Sequence, residues 1–458
     1  MANKLYEENS IAAIATAIRA KNGSSNTYTV SQMASAINNI PSGGGDVVNG
    51  LLESYKAASS TIDANTFVQF VDLIGSETDT KISNGSASYQ YASATQLDTN
   101  KVFVAHRSGD YLYGVVCTVS GNTITAGTDT QLSTVTNSYY YASAVKVDNN
   151  KVFVAHRNGN YLYGIVCTIS GTTVTAGADT QLSTGGTSYS DASAVQLGTN
   201  RVFVAHRSGS NLAGVVCTVS GTTITVGTDT NVSTGFLAYN NAFAGLVGTD
   251  KVMVVHNSST SFYGVVCTIS GTTITVGTDT QLSNASLSYE FGKVTLVDTD
   301  KVLVTHRNDG FLYGMVCTIS GTTITKGTDT RLSTGDNSSS YTTVVKLDTN
   351  RVFIAHQYNE VFYGIVCTIS GMTVEPGVDT PLSLVYDSYG YATATLVDTN
   401  RVFIAHENNV KLYGMVITIL DETCAVESGL DYPKIEGITK TACTTTTAGD
   451  VWVLDKYY

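Results

Sequence analysis

The sequence predicts an all-β protein: a β-propeller of seven 50-residue, four-stranded repeats behind a small N-terminal α-helical module. Three observations carry this. All seven histidines of the 458 residues fall at a spacing of 50, at His106, His156, His206, His256, His306, His356 and His406. Six cysteines, Cys117, Cys167, Cys217, Cys267, Cys317 and Cys367, keep the same step, with Ile417 at the seventh position. Each unit holds four short runs rich in Val, Ile, Thr, Tyr and Phe, bounded by Asn, Asp, Ser and Gly, with no 3.6-residue periodicity. A period near 50 with four strands per unit is the mark of propeller blades. A β-solenoid is the rival, but its repeats are usually shorter and its stack needs atypical caps.

The elements follow in chain order. Residues 1–43 read as a helical anchor or assembly module. Ile11, Ile14, Ala15 and Ile18 fall at i, i+3, i+4 and i+7, and Asn22-Gly23 ends that helix. A second short helix spans Val30–Ile40 and stops at Pro41. Residues 44–66 read as a linker with a third short helix over Val47–Lys56. Residues 67–433 are the propeller, a half-repeat at 67–83 and then seven full units. One unit, 141–183, divides into strands at Ala142–Val147, Lys151–Arg157, Leu162–Ser170 and Thr172–Ser183. Its second and third runs, VFVAH and YGIVCTI, are apolar on both faces, as suits a sheet sandwiched between neighbours. The half-repeat matches the end of a full unit (TDTKIS against TDTQLS), so it can supply the outer strand of the last blade and close seven blades. The alternative is eight blades, with the C-terminal β segment, 434–458, providing two strands of the eighth and closing the ring.

Composition excludes several functions. With 25 basic and 37 acidic residues the net charge is −12, so nucleic acid is not an expected partner. Charged residues are 14% of the chain against about 25% in ordinary domains; 42 Gly, 27 Tyr and many Ser, Thr and Asn take their place. No apolar run approaches the roughly 18 residues of a membrane-spanning helix. The opening MANKLYEENS lacks the basic and apolar regions of a signal peptide, so none is expected.

The turns divide the blade into two ends. In an up-and-down blade the first and third turns share one face of the disc; the second turn and the link to the next blade share the other. The first turn is nearly fixed (DTN at 98–100, 348–350 and 398–400), and the third is Ser-Gly in six of seven units. The second turn varies from RSGDY at 107 to ENNVK at 407, and the inter-blade links vary more. Variable loops on a fixed scaffold are the usual place for recognition. Tyrosine marks the same end: Tyr89, Tyr111, Tyr139, Tyr140, Tyr161, Tyr189, Tyr239, Tyr289, Tyr341, Tyr358, Tyr386 and Tyr389 are the candidate ligand-binding residues. Tyr with Ser, Gly and Asn gives large contact area and adaptable hydrogen bonding. Tyr113 and its equivalents read as packing residues.

Catalytic and metal chemistry find little support. Pairing the second and third strands through 108–111 sets His106 opposite residues 112–113 and Cys117 opposite Val102, about 13 Å apart along a strand. That is too far for one zinc, so no metal and no cofactor are expected. The histidines read instead as strand-end residues that bond backbone and tie adjacent blades. The repeat cysteines read as small buried hydrophobes suited to a reducing compartment. Asp129 and its equivalents read as turn caps. No GxSxG, HExxH, P-loop or dinucleotide fingerprint is present. Nothing in the spacing pairs two carboxylates as glycosidases require. The chain therefore reads as a non-enzyme.

Residues Ile11–Ile40 resemble a short helical module near the N-termini of tail and fibre proteins of bacteriophages and prophages of Gram-positive bacteria, including gut bacteria. The repeats VFVAH and LYGVVCTISGTTIT are similar to propeller repeats of the same receptor-binding proteins. Gly437–Leu454, GITKTACTTTTAGDVWVL, is similar to a β module that often closes them. The resemblance implies a virion component made in the host cytoplasm, joined to other tail proteins through residues 1–43, forming a homo-oligomer, and attached to a host surface glycan or protein. A purely structural virion protein and a surface-glycan-degrading enzyme are the alternatives.

Overall fold

The computed structural model describes residues 52–55, 67–71, 74–75, 79–83, 89–133, 139–183, 192–209, 211–233, 239–258, 261–283, 289–333, 338–358, 361–382, 389–408, 411–419, 423–426, 437–439 and 449–453. The expected helices at 11–40 lie outside these residues. The chain divides into two units, 74–419 and the flanks 1–73 with 420–458. No helix long and apolar enough to cross a membrane occurs among the described residues.

Unit 74–419 is a seven-bladed propeller. Blade 1 shows the pattern: Tyr89–Asp98, Lys101–Ser108, Tyr111–Ser120, then a fourth strand in two pieces, Thr123–Ala126 and Thr130–Gln131. The order is first, second, third, fourth, and both pieces of the fourth pair with the third. The expected continuous fourth strand is thus broken at 127–129. Gly127 N–H still reaches Val116 O at 2.8 Å, and Thr128 and Asp129 then leave the ladder before Thr130 rejoins it. A broken outer strand also leaves a short, irregular edge, which discourages edge-to-edge pairing. The second and third strands pair in the expected register, with His106 opposite Tyr113 and Val102 opposite Cys117.

The seven first strands touch one another in turn, and the last touches the first, so the ring closes at seven with these strands innermost. At five seams the inner strands are stitched by a side chain, as where Ala144 N–H donates to Ser93 Oγ at 2.9 Å. Phe243 and Lys293 hold the corresponding positions in blades 4 and 5, with Lys293 Nζ 4.8 Å from the Phe243 ring centroid.

The core lies between blades, as two-sided apolar strands require. Phe103 and Ala105 of blade 1 pack with Val152, Val154, Ile165 and Cys167 of blade 2. The same set recurs at every seam, including the closing one, where Phe403 and Ala405 pack with Val102, Val104 and Cys117. Residues 103 and 105 therefore face the next blade, and residues 102 and 104 the preceding one. Gly114 is part of this packing: a Cβ there would sit 2.7 Å from Phe103 Cζ, so only glycine lets the ring lie across the third strand.

Closure departs from expectation in detail. Blade 7 consists of Tyr389–Leu396, Arg401–Asn408 and Lys411–Ile419, completed by Ile74–Gly75 and Thr80–Lys81 from the other end of the chain. These closing pieces lie 50 residues before Ile124 and Thr130, in the same register. Phe67–Val71 takes no part, because blade 7 already owns a third strand; it pairs instead with Thr423–Val426 and Gly437–Thr439. The C-terminal segment does not close the ring. Gly437–Thr439 and Gly449–Val453 pair with each other, and the latter pairs with Leu52–Tyr55. These five strands form the sheet of the second unit. Leu52–Tyr55 is therefore a strand where a helix over Val47–Lys56 was expected; a pairing partner about 400 residues away overrides a local helical pattern.

Candidate binding site

Each blade ends at the variable face on the same construction. His106 Nε2 lies 2.9 Å from Asp129 Oδ1, and the pair repeats through His356–Asp379 at 2.8–3.0 Å. The seventh pair, His406–Asp79 at 3.0 Å, spans the closure. The imidazoles are fully buried, and each stacks on the tyrosine opposite where that residue is present, as His106 does on Tyr113 at 5.9 Å between centroids. The other carboxylate oxygen accepts a hydroxyl from the preceding repeat: Ser83 donates to Asp129, Ser133 to Asp179, Ser183 to Asp229 and Ser233 to Asp279. The Asp thus joins its own second and fourth strands to the neighbouring blade. Burial acts to raise the carboxyls of Asp179 and Asp229, but the His hydrogen bond and charge, with the Ser hydrogen bond, outweigh it and hold both below the usual carboxylate range.

This extends one expectation and corrects another. The histidines bond a carboxylate through Nε2, a partner the sequence reading did not give them, and Asp129 is the inter-strand clasp rather than a turn cap. The sequence carried the signal, since His and Asp both repeat at 50 with a constant offset of 23. The order Ser–Asp–His is not a nucleophilic one. A serine is activated by an imidazole that touches it, whereas here the carboxylate stands between the two. The cysteines are buried, and burial pushes the thiols of Cys117, Cys167, Cys217, Cys267 and Cys317 up to about 12, far from a reactive thiolate. No cluster of three or more metal-ligating side chains occurs among the described residues.

Two residues beyond each His the second strand reaches its end, and the register sets three residues side by side: Tyr89–Ser108–Tyr111 in blade 1 and Tyr139–Asn158–Tyr161 in blade 2. The rows continue as Tyr239–Ser258–Ser261, Tyr289–Asn308–Phe311, Ser338–Tyr358–Val361 and Tyr389–Asn408–Lys411. Tyr140 stands opposite Arg157, and Tyr341 lies in the first strand of blade 6. Tyr189 and Tyr386 lie outside the described residues. Tyr161 is 40% exposed and Tyr111 half-buried. Blade 5 departs from the rest: Phe311 carries the Arg331 guanidinium 3.7 Å above its ring. Ten of the twelve candidate tyrosines thus sit on strands at or near one end of the ring.

Sequence reasoning passed over one position, the residue after each His. It is Arg107, Arg157, Arg207, Asn257, Arg307, Gln357 and Glu407 around the ring. Burial raises the Glu407 carboxyl to about 7. Two-carboxylate glycan cleavage needs a second acid at a fixed separation, and the register partners of Glu407 are Gly390 and Leu412.

No family model matches the chain, and no curated protein does. Among solved structures it is similar to a Dyadobacter fermentans protein of unknown function (13% identity, TM-score 0.45, 76% of this chain and 99% of that one). It is also similar to an ulvan lyase of a new polysaccharide-lyase family (9%, 0.47, 80% and 99%) and to the NanB sialidase of Streptococcus pneumoniae (11%, 0.44, 77% and 70%). At these identities and scores the likenesses carry no functional argument.

Proposed function

We propose that the chain is a non-enzymatic attachment protein, a tail or fibre component of a phage-like particle, whose loop end binds a host-surface glycan. The observation that carries this is the contrast between the two ends of the blade. One end repeats its turns almost unchanged. The other builds tyrosine-bearing rows on an invariant His–Asp floor and varies the residues above it. A flat phenol ring stacks on the apolar face of a sugar, and its hydroxyl bonds the sugar's polar edge. The resemblance of residues 11–40 to tail-protein modules supports the virion role and assembly with other tail proteins through 1–43.

The test is binding of the full chain to a bacterial glycan array and to whole cells, beside a variant with Tyr111→Ala and Tyr161→Ala. Selective binding lost in the variant is expected. Whole-cell binding that survives both substitutions refutes the tyrosine site. Failure of the folded chain to bind any cell or glycan leaves a purely structural virion role instead.

A further inference from the structure

The seven seams, named here by the blades they join, are not equally tied. Seam 7/1, where the two ends of the chain meet, is heavily bonded. Ala94 N–H donates to Thr393 Oγ1 at 3.1 Å, Gln96 Nε2 to Val397 O at 2.7 Å and Arg401 Nη2 to Asn100 Oδ1 at 2.9 Å, and Ser83 donates to Asp129. Seam 5/6 departs from the others at four places. Lys293 stands where a Ser or Thr hydroxyl stitches the inner strands at five seams. Leu303 stands where the other blades carry Phe or, in blade 4, Met253, so a smaller side chain fills the seam. Where Ser83, Ser133, Ser183 and Ser233 donate across their seams, the hydroxyl of Ser333 accepts from Leu312 N–H of its own blade at 3.1 Å.

The fourth departure puts polar atoms into an apolar core. The position of Ala105 meets the position of Ala142 across a seam, and alanine meets alanine at five of the seven. At seam 4/5 the pair is Val255 and Gly292, and a Cβ on Gly292 would lie 3.1 Å from Val255 Cγ2. At seam 5/6 the pair is Thr305 and Thr342, 0% and 4% exposed, and neither Oγ1 has a hydrogen-bond partner among the described residues. A buried hydroxyl without a partner keeps its desolvation cost and returns nothing for it. Seam 4/5 also lacks the inner stitch, but it closes up by size: Gly245 brings the inner strands so near that a Cβ there would strike Val294 O.

We propose that seam 5/6 is the joint at which the ring opens, ahead of every other seam and ahead of the closure in blade 7. Opening there gives both hydroxyls to water, breaks no inner stitch and uncovers less aromatic surface than any seam built on Phe. The ring then behaves as a split washer: the rows ending at Phe311 and Val361 part, while the remaining seams stay clamped. The proposal is independent of what the loop end binds.

The chain carries its own reporters, because the six repeat cysteines lie in six different seams. Cys117 belongs to seam 7/1, Cys167 to 1/2, Cys217 to 2/3, Cys267 to 3/4, Cys317 to 4/5 and Cys367 to 5/6. The test is a pulse of N-ethylmaleimide on the full chain at rising urea, followed by digestion and mass spectrometry of the six peptides. Cys367 is expected to label at the lowest urea, at least fivefold faster than Cys117 or Cys167 at the foot of the transition. Thr305→Val with Thr342→Val removes both hydroxyls at nearly unchanged shape and should reduce that lead at least threefold. Lys293→Ser restores the stitch and should reduce it as well. Labelling of all six together, or of Cys117 first, overturns the proposal. Because that order is read on the unsubstituted chain, a misfolded variant does not rescue it. A lead of Cys367 that survives both the Val pair and Lys293→Ser overturns the cause assigned to it.

Discussion

Replacing Asp179 by Ala should open one clasp of the ring. The carboxylate accepts from buried His156 at 2.9 Å and from Ser133 of the preceding repeat. Its own side chain is 17% exposed, so the surrounding water screens little of the loss. A hydrogen bond to a charged group contributes about 1.5–3 kcal/mol, and the stranded imidazole adds its desolvation. The expected cost is about 3 kcal/mol. Asp179→Asn keeps one oxygen for His156 and should cost about 1–2 kcal/mol. Urea unfolding checks this: with a slope near 3 kcal/mol/M, the Ala midpoint falls by roughly 1 M. The pH dependence has a definite sign. The Asp179 and Asp229 carboxyls are held below their usual range, so their stabilisation is full above the ordinary carboxylate pKa and is lost as pH falls through the depressed one. The unsubstituted chain should therefore lose stability below about pH 4, and Asp179→Asn should lose less over that interval. An Ala midpoint indistinguishable from that of the parent would refute the clasp.

Three other expectations follow from particular positions. Gly121 sits at φ +57° with no atom within 4 Å of a would-be Cβ, so Gly121→Val should cost about 1–2 kcal/mol from backbone conformation alone. Gly121→Asn should cost less, because Asn100 and Asn200 already adopt φ 67° and 62°; equal melting of the Val variant and the parent would disprove the turn. Glu407 is raised from 4.5 to about 7 by burial, so the fold loses stability as pH rises from the first value to the second; Glu407→Gln should stabilise by about 1–2 kcal/mol at pH 8 and by nothing at pH 4, as calorimetry at the two values will show. The six repeat cysteines are buried, so maleimide at pH 8 should leave them unlabelled by mass spectrometry until urea unfolds the ring. Labelling of Cys167 in the native chain would contradict its burial.

The ring itself was legible because its cause is periodic: 50-residue spacing, two-sided apolar strands and Ser-Gly turns are local. The clasp was half legible. His and Asp were each seen as repeats but not as partners, since the bond crosses two strands and a break in the ladder. A second clue to closure went unread. Asp79 has no histidine 23 residues before it, and His406 has Gly429 rather than an acid 23 residues after it. The two unmatched ends find each other at 3.0 Å. The fates of Phe67–Val71 and Leu52–Tyr55 were not legible, because their partners lie hundreds of residues away; the half-repeat read at 67–83 rests on the match of Thr78–Ser83 and says nothing of where Phe67–Val71 pairs. The arginine row was passed over for a related reason: a residue that differs between units does not register as part of the pattern.

That failure points to how the loop end is built. The His–Asp–Ser clasp lies two residues below the end of the second strand, so the strand ends are fixed before the variable residues begin. Blade 4 shows the independence of the two layers. Its second turn is NSSTS where blade 1 has RSGDY, yet Ser258 still pairs with Ser261 and His256 still meets Asp279 at 2.9 Å. Arginine, asparagine, glutamine and glutamate all occupy the position just above the clasp, and the ladder beneath them keeps its register in every blade. A surface mounted in this way changes its chemistry seam by seam with little effect on stability. Its strand ends are ordered before a ligand arrives, which lowers the entropic cost of binding.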